Sequence, residues 1–268
     1  MSVESHRRLW GSAMELAEVL EEMPGGIEVA TRDFALLTLA AQLSATFLRQ
    51  LVFKGGFVLR HVHGILRFSK DVDATRHEPP GHKLAGEKVA KAIREANIHN
   101  IVRFIPNEPA TDSARSLDFD NIQVIGETFP STSVQVEISY REAVIDEPVL
   151  AYIGKPFYER FEILTMAVEE MAAEKLRALA QRLRVTDLAD LAIMLKKPST
   201  SDQDIARLTS SKFALVAKGQ ANRIERIERN LHDMADTYDV IVPGLFPNAP
   251  PYRQAMEIVW PRIKKLIP

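Results

Sequence analysis

Apolar positions recur at helical spacing along three stretches in the first hundred residues. The first stretch covers residues 6–22 and the second about 29–50, and Pro24-Gly25-Gly26 separates them. After a break at Pro79-Pro80-Gly81, residues 83–97 carry the spacing of a third, amphipathic helix. The first two helices contain no pattern typical of chemistry, so we expect them to form a scaffold.

Shorter runs between and after these helices are typical of β-strands. Residues 51–53, 101–105 and 122–125 are rich in branched and aromatic side chains. Residues 133–139 alternate between apolar and polar side chains, which puts Glu137 on the polar face of a strand. The chain therefore contains both helices and strands.

Two stretches predict irregular structure. Residues 108–120 are polar, and we expect a loop there whose acidic side chains are solvated. Residues 148–163 contain Pro148, Gly154 and Pro156, and this composition predicts a connector.

The remaining sequence predicts helices. Ser201 or Asp202 can cap a helix that runs to about Leu208, residues 210–235 form a basic helical region, and a last helix contains Trp260. The pattern thus places a helical lobe at the C-terminal end.

Composition excludes several classes of site and of protein. The 268 residues are 46% hydrophobic and 26% charged, as in an ordinary globular protein. Without cysteine, disulfides, thiol nucleophiles and cysteine-bound zinc are excluded. We see no signal peptide, and the apolar stretch 34–48 is interrupted by polar residues and too short to span a bilayer. We therefore expect a cytoplasmic protein with no membrane partner.

Charge is distributed unevenly along the chain. The net charge is −2, but residues 104–170 carry 4 basic and 13 acidic residues, and residues 171–230 carry 12 basic and 7 acidic residues. The basic block is either a set of solvated helix faces or a surface that meets a phosphate backbone.

The most informative stretch is residues 51–76. An apolar run leads into Lys54-Gly55-Gly56, where backbone N–H groups can approach an anion closely and the next helix adds a favourable dipole. Asp71 and Asp73 then share one face of a strand, where their carboxylates repel each other unless a cation lies between them. Mg²⁺ usually binds one or two carboxylates together with substrate phosphates. A phosphate cradle followed by metal carboxylates suits a nucleoside triphosphate.

These residues resemble a known family, the AbiEii-like nucleotidyltransferase toxins of type IV toxin–antitoxin systems, which include the mycobacterial MenT proteins. The family opening KGG-(T/S)-x-L reads Lys54 to Leu59 here, and its RFS-x-D-(I/L/V)-D strand reads Arg67 to Asp73. Phe57 departs from the pattern, because the family usually has a small hydroxyl residue there. A hydroxyl contact to phosphate is therefore absent, whereas the backbone cradle is retained.

The resemblance implies a fold and a division of the chain. We expect a mixed α/β nucleotidyltransferase fold with a mixed sheet, flanking helices and a helical C-terminal lobe. The N-terminal helices and the nucleotidyltransferase core would cover residues 1–160, and the lobe would cover residues 161–268.

The resemblance also implies further site residues. In nucleotidyltransferases the third metal carboxylate comes from a strand beside the first two, which makes Glu137 a candidate, although it could instead be an exposed side chain of an edge strand. The stretch AVEEMAAEKLRALAQR resembles the family's E-K-x-x-A-L helix, so Lys175 would meet the nucleotide phosphates. Asp187 in VTDLADL matches R-D-L-Y-D-L, with Asp190 as its support.

Two alternatives stay open for the motif VTDLADL, residues 185–191. Asp187 can act in the active site, or it can cap the helix N-terminus. Thr186 stands where the family has arginine, and Arg182 or Arg184 could substitute for it. Either Glu137 or Asp187 could be the third active-site acid.

The implied reaction transfers a nucleotide from an NTP to a hydroxyl acceptor and releases pyrophosphate. Asp71, Asp73 and Glu137 would hold Mg²⁺, and Lys54, Gly55, Gly56, Ser69 and Lys175 would hold the triphosphate. The expected acceptor is the 3′ end of tRNA, and the expected partner is a cognate antitoxin. Two rivals are a nucleotidyltransferase that modifies a small molecule or a protein hydroxyl, and a non-catalytic nucleotide-binding protein.

Two histidines invite a metal interpretation. His61 and His63 lie two residues apart in a short predicted helix, where their side chains diverge, and no third ligand is near in the sequence. We expect them to be structural or surface residues.

Overall fold

The structure is a computed structural model. It describes residues 25–77, 83–98, 101–127, 129–141, 143–155, 158–198, 200–215 and 222–267. The predicted helix at 6–22 and the break at Pro79-Pro80-Gly81 lie outside these residues. The chain divides into two compact units, described here one at a time. The described part of the first unit lies within residues 25–64, 68–144 and 148–165; that of the second lies within Ile65–Arg67, Ile145–Glu147 and residues 166–267.

Three α-helices of the described chain belong to the first unit. They are α1 (Gly26–Phe47, followed by a 3-10 turn at Leu48–Gln50), α2 (Gly55–His61) and α3 (Gly86–Glu95). α1 is buried on nearly all sides, and two of its hydroxyl side chains donate to backbone carbonyls, one within the helix and one in the sheet. Thr38 donates to the Phe34 carbonyl (2.9 Å) and Ser44 to the Glu162 carbonyl (2.7 Å). The interrupted apolar stretch is therefore a core helix.

One mixed sheet forms the centre of the first unit. Its eight strands are β1 (Leu51–Lys54), β2 (Asp71–Arg76), β3 (Val102–Ile105), β4 (Thr111–Asp112), β5 (Ser116–Gly126), β6 (Thr132–Ser139), β7 (Val149–Lys155) and β8 (Tyr158–Thr165). The strand order is β3-β5-β6-β2-β1-β8-β7, and β4 pairs with β5. β2 runs parallel to β6, and β1 runs parallel to β8.

The sheet corrects two predictions of irregular structure. The stretch 108–120 is not a loop throughout, because it contains β4 and the first half of β5. The stretch 148–163 is not a connector, because β7 and most of β8 lie there and pair antiparallel. Buried and exposed residues alternate in β7 and β8, and this alternation indicates strands. The proline and glycine residues in the same stretch favoured a connector instead.

The second unit is helical in its described part. Its helices are α4 (Val168–Leu179), α5 (Val185–Leu195), α6 (Asp202–Leu215), α7 (Arg223–Asp233), α8 (Ala235–Leu245) and α9 (Tyr252–Leu266). The predicted cap Ser201 accepts a hydrogen bond from the Asp204 N–H (3.2 Å), and α6 extends past the predicted end at Leu208. No helix in the described ranges is long and apolar enough to cross a membrane.

Candidate active site

The turn between β1 and α2 carries the first predicted residues. Lys54 ends β1 in an extended conformation, and Gly55 follows with φ +69°, in the left-handed region that favours glycine. A Cβ atom on Gly55 would collide with Oδ2 of Asp73. The backbone of the turn therefore lies directly against the carboxylate that was predicted as a metal ligand.

The two aspartates occupy one face of β2. Val72 between them is fully buried, while Asp71 and Asp73 are partly exposed. The Ser69 hydroxyl, assigned from the sequence to the triphosphate, donates to Asp71 Oδ1 at 2.7 Å. This hydrogen bond fixes the orientation of the Asp71 side chain.

Neighbouring strands extend the polar face in register. Lys54 pairs with Asp73 across β1 and β2, and Asp73 pairs with Glu137 across β2 and β6. Side chains of directly paired residues project on the same face of a sheet. β6 lies between β5 and β2, so the interpretation of Glu137 as an exposed residue of an edge strand is wrong about the edge, although the side chain is exposed.

A further carboxylate, Asp118, continues this row. It pairs with Glu137 across β5 and β6, and its Oδ2 accepts the Ser116 hydroxyl at 2.9 Å. Its Oδ1 is buried and has no hydrogen-bond partner among the described residues. Asp118 was not among the predicted site residues, because the polar composition of this stretch predicted a loop. The usable signal was the alternation of Ser116, Asp118 and apolar neighbours.

The carboxylate row has donors of the kind that a divalent metal binds. No group of three or more His, Asp or Glu side chains in the described chain is arranged as a ready-made metal site. Mg²⁺ does not need one, because it binds through one or two carboxylates and completes its shell with phosphates and water. Two partly exposed carboxylates on one strand face, with the Gly55 backbone next to Asp73, fit that requirement.

In the second unit, Lys175 lies between two buried aspartates. Its Nζ is 2.8 Å from Asp187 Oδ1 and 2.7 Å from Asp190 Oδ2, and both carboxylates are fully buried. Burial alone would lower the pKa of Lys175, but the charges of Asp190 and Asp187 outweigh it and the pKa is raised. Lys175 is therefore a fixed, permanently charged ammonium group.

Two arginines complete this cluster. Arg182 donates through Nε to Asp187 Oδ2 (2.8 Å), and Arg67 donates through Nε to Asp190 Oδ1 (2.8 Å). Burial would raise the pKa of Asp187, but Lys175 and Arg182 lower it to about 2. The cluster contains three cationic side chains and two carboxylates, so these five groups carry a formal charge of +1.

The ion pairs resolve two questions left open at this motif. Asp187 makes no side-chain hydrogen bond as a helix cap, since both its oxygens are engaged by Lys175 and Arg182. Arg182 contacts Asp187 from five positions earlier, although Thr186 replaces the arginine of the family pattern. The pairing of Arg67 with Asp190 could not be predicted from the sequence, because no sequence spacing links positions 123 residues apart.

The predicted residues thus fall into two groups. Residues Lys54, Gly55, Gly56, Ser69, Asp71, Asp73 and Glu137 belong to the first unit. Lys175 and Asp187 belong to the second. The structure brings the members of each group together on adjoining strands or adjoining helices.

The histidine prediction concerns the end of α2. His61 is buried, and its Nε2 lies 3.1 Å from Asp33 Oδ1. Its ring packs against Phe57, with centroids 4.7 Å apart. His61 is accordingly a core residue in this unit.

Comparisons with known proteins identify similar sequences and folds. The sequence profile described as nucleotidyl transferase AbiEii toxin, type IV TA system, matches residues 38–259. MenT4, a nucleotidyltransferase toxin from Mycobacterium tuberculosis H37Rv, has a similar structure, with a TM-score of 0.70 and 19% identity over 95% of this chain and 88% of that one. JHP933 from Helicobacter pylori has a TM-score of 0.59 and 19% identity over 89% of this chain and 91% of that one. A comparison with curated proteins finds no match. The structural likenesses confirm the predicted fold class.

Proposed function

Because the chain belongs to the AbiEii family of nucleotidyltransferase toxins of type IV toxin–antitoxin systems, we propose that it transfers a nucleoside monophosphate from an NTP, with Mg²⁺, to the 3′ end of tRNA. Membership of the family makes the chain a nucleotidyltransferase and a toxin, and it implies an NTP substrate and an antitoxin partner. Mg²⁺, the tRNA acceptor and the residue roles below are the proposed part.

One observation carries the proposal. The row Lys54, Asp73 and Glu137 lies in register across three neighbouring strands, and the Gly55 backbone packs directly on Asp73. Phosphate-binding backbone and metal-binding carboxylates are therefore adjacent. A nucleoside triphosphate with a bound cation has the complementary arrangement of charge.

Each predicted site residue of the first unit has a role in the proposed reaction. Asp71 and Asp73 would hold the metal, with Glu137 beside them, and Ser69 orients Asp71 through its hydrogen bond. When bound, a divalent metal neutralises charge that develops on the phosphoryl group. Gly55 and Gly56 would offer backbone N–H groups to phosphate oxygens, and Lys54 adds a positive charge next to them.

The chemical step is a displacement at the α-phosphorus. The acceptor hydroxyl oxygen forms a bond to this phosphorus, the bond to the bridging α–β oxygen breaks, and pyrophosphate leaves. Of the two candidate acids, we propose that Glu137 is the base that accepts the proton of the acceptor hydroxyl. Asp187 is unsuited to be the base, because its pKa of about 2 makes it a poor proton acceptor near neutral pH.

For Lys175 we propose the role that the family pattern implies, which is contact with the nucleotide phosphates. Two of its three N–H donors face Asp187 and Asp190, which hold the side chain in place. The formal charge of +1 on its cluster favours an anionic ligand. Asp187 and Asp190 then act by positioning Lys175.

The test is transfer from each α-³²P-labelled NTP, with Mg²⁺, to purified total tRNA. Asp71→Ala should lower the rate roughly a hundredfold or more, because a lost metal carboxylate removes several kcal/mol of transition-state stabilisation. Glu95→Ala is the matched control, since Glu95 is an exposed residue whose ion pair with Lys91 is a surface pair at 3.6 Å.

The outcomes separate the rivals. Label on tRNA that disappears with Asp71→Ala supports the proposal. Label that appears only on protein or small molecules would replace the tRNA acceptor. NTP binding without transfer to any acceptor would favour the non-catalytic alternative and contradict the proposed reaction.

A further inference from the structure

Asp33 is a buried carboxylate outside the carboxylate row. It lies on α1, is 5% exposed, and contacts two residues at the end of α2. Arg60 Nη2 donates to Asp33 Oδ2 at 2.9 Å, and Arg60 Nε lies 2.7 Å from Oδ1. His61 Nε2 lies 3.1 Å from the same Oδ1. One carboxylate thus engages both polar residues of the last turn of α2.

Arg60 also contacts Phe68, which lies shortly before β2 in the chain. The guanidinium carbon of Arg60 lies 5.0 Å from the ring centroid of Phe68, in cation–π geometry. On its other side Phe68 packs so tightly against Gly25 that a Cβ there would lie 2.9 Å from its Cζ. Phe68 immediately precedes Ser69, which orients Asp71. Asp33 is therefore connected to α2 directly, and to the segment before Asp71 indirectly, through Arg60 and Phe68.

The protonation states suit a permanent anchor. Burial would raise the pKa of Asp33, but its interactions with His61 and Arg60 hold it below the ordinary value. Burial lowers the pKa of His61, and Nδ1 has no hydrogen-bond partner among the residues that the structure describes. A neutral imidazole that donates from Nε2 fits both facts. Asp33 and Arg60 are then the charged pair that fixes α2.

We propose that Asp33 is a positioning residue for the nucleotide phosphates, which acts by fixing α2 and with it the Gly55-Gly56 backbone against Asp73. The helix has only seven residues, so its anchored end and its glycine end move as one body. A shift at Arg60 would carry Gly55 away from, or into, the Asp73 carboxylate. The inference rests on the proposed function, because phosphate binding is what the anchor would serve.

The experiment compares Asp33→Asn with the wild type and with Ser44→Ala. The asparagine substitution keeps the size of the side chain but removes its charge. Ser44→Ala removes a different hydrogen bond of the same helix, which goes to the Glu162 carbonyl of β8 and not to α2. We expect Asp33→Asn to raise the dissociation constant of Mg·NTP, measured without acceptor, about tenfold or more, because misplaced binding groups lose much of their effect. Ser44→Ala should bind NTP as the wild type does.

Two further measurements separate positioning from general destabilisation. Binding is measured at a temperature where circular dichroism shows each variant fully folded, and KM for NTP should rise more than kcat falls. If Asp33→Asn does not fold, the variant Arg60→Lys provides the test, since it keeps the charge and loses the guanidinium hydrogen bond to Asp33. A higher dissociation constant in Arg60→Lys supports the proposal, and an unchanged one overturns it.

Failure of this inference and failure of the proposed function give different results. If the wild type binds NTP and Asp33→Asn binds it equally well, the positioning role is wrong and the proposed function stands. If the wild type binds no NTP with Mg²⁺, both are wrong. An equal loss of affinity in Ser44→Ala would also overturn the inference, because any weakening of α1 would then have the same effect.

Discussion

Gly55 is the residue at which the proposed phosphate-binding backbone contacts Asp73, a proposed metal ligand. Its φ of +69° excludes most side chains on conformational grounds, and Asp73 excludes a Cβ on steric grounds. Gly64 has the same φ of +69°, yet nothing lies within 4 Å of the position where its Cβ would be. The chain therefore offers two glycines with equal backbone conformation and different surroundings.

Alanine substitutions at these two glycines separate the effect of backbone strain from that of the contact with Asp73. Gly64→Ala should cost about 1 kcal/mol of unfolding free energy, from the left-handed conformation alone, and keep full transfer activity. Gly55→Ala should add a displacement of Asp73 and reduce transfer roughly a hundredfold. Urea unfolding and the labelled-NTP assay measure the two effects. Equal activity in both variants would show that the contact between Gly55 and Asp73 has no part in the reaction.

The second residue-scale lesson concerns which acid can accept a proton. Asp187 and Glu137 were equivalent candidates in the sequence, because the residue type alone does not fix the pKa of a carboxyl group. Asp187 is buried between Lys175 and Arg182, whereas Glu137 is exposed on its strand. The ion pair between Lys175 on α4 and Asp187 on α5 supports the proposal that Glu137 is the base, and no local spacing predicts that pair.

At the scale of elements, α2 carries a group that should titrate on unfolding. The pKa of His61 lies below its ordinary value of 6.5 in the folded chain, mainly because burial disfavours the charged imidazole. As pH falls below about 6.5 the unfolded chain takes up a proton that folded His61 does not. Stability is therefore lost as pH falls from about 6.5 toward the lower, folded pKa.

His61→Gln tests this assignment, because glutamine retains a donor for Asp33 and does not titrate. The free energy of unfolding of the wild type should fall with a slope of up to about 1.4 kcal/mol per pH unit more than that of His61→Gln in this window. Denaturant unfolding at several pH values between 5 and 7.5 measures the difference. His232→Gln is the control, since the His232 side chain is 89% exposed and its surroundings change little on unfolding. Parallel curves for wild type and His61→Gln would contradict the assignment.

The elements also show how far sequence patterns reach. The alternation in β6 predicted its strand, and the family resemblance predicted that Glu137 lies on a strand beside Asp73; β2 and β6 do pair there. The pattern in 148–163 failed, since prolines and a glycine near strand ends look like those of a connector. Asp118 was missed because its importance depends on its pairing with Glu137, and Arg67 because its partner Asp190 is distant in sequence. Local periodicity predicts elements, whereas cross-strand and cross-helix partners need the fold.

At the scale of the whole molecule, the uneven charge distribution bears on the acceptor. The net charge of −2 gives no general attraction to RNA, so any tRNA-binding surface must be local. The predicted basic region contains α7, on which Arg226 and Arg229 lie three positions apart and share a face. Arg223 instead stacks on Phe213, with its guanidinium carbon 4.4 Å from the ring centroid. Arg226 and Arg229 are thus the arginines of this helix left to meet a phosphate backbone.

The double variant Arg226→Gln with Arg229→Gln should therefore weaken tRNA binding and leave NTP binding unchanged. Each lost phosphate contact should reduce the slope of log affinity against log salt concentration by about one. Lys264→Gln with Lys265→Gln is the matched control, because it removes the same charge from two exposed positions at the end of α9. Filter binding of tRNA across a salt series measures both variants. Equal losses in the two variants would mean that tRNA responds to total charge and that α7 is a solvated helix face, whereas a loss confined to the α7 variant would place an RNA-binding surface on the basic block.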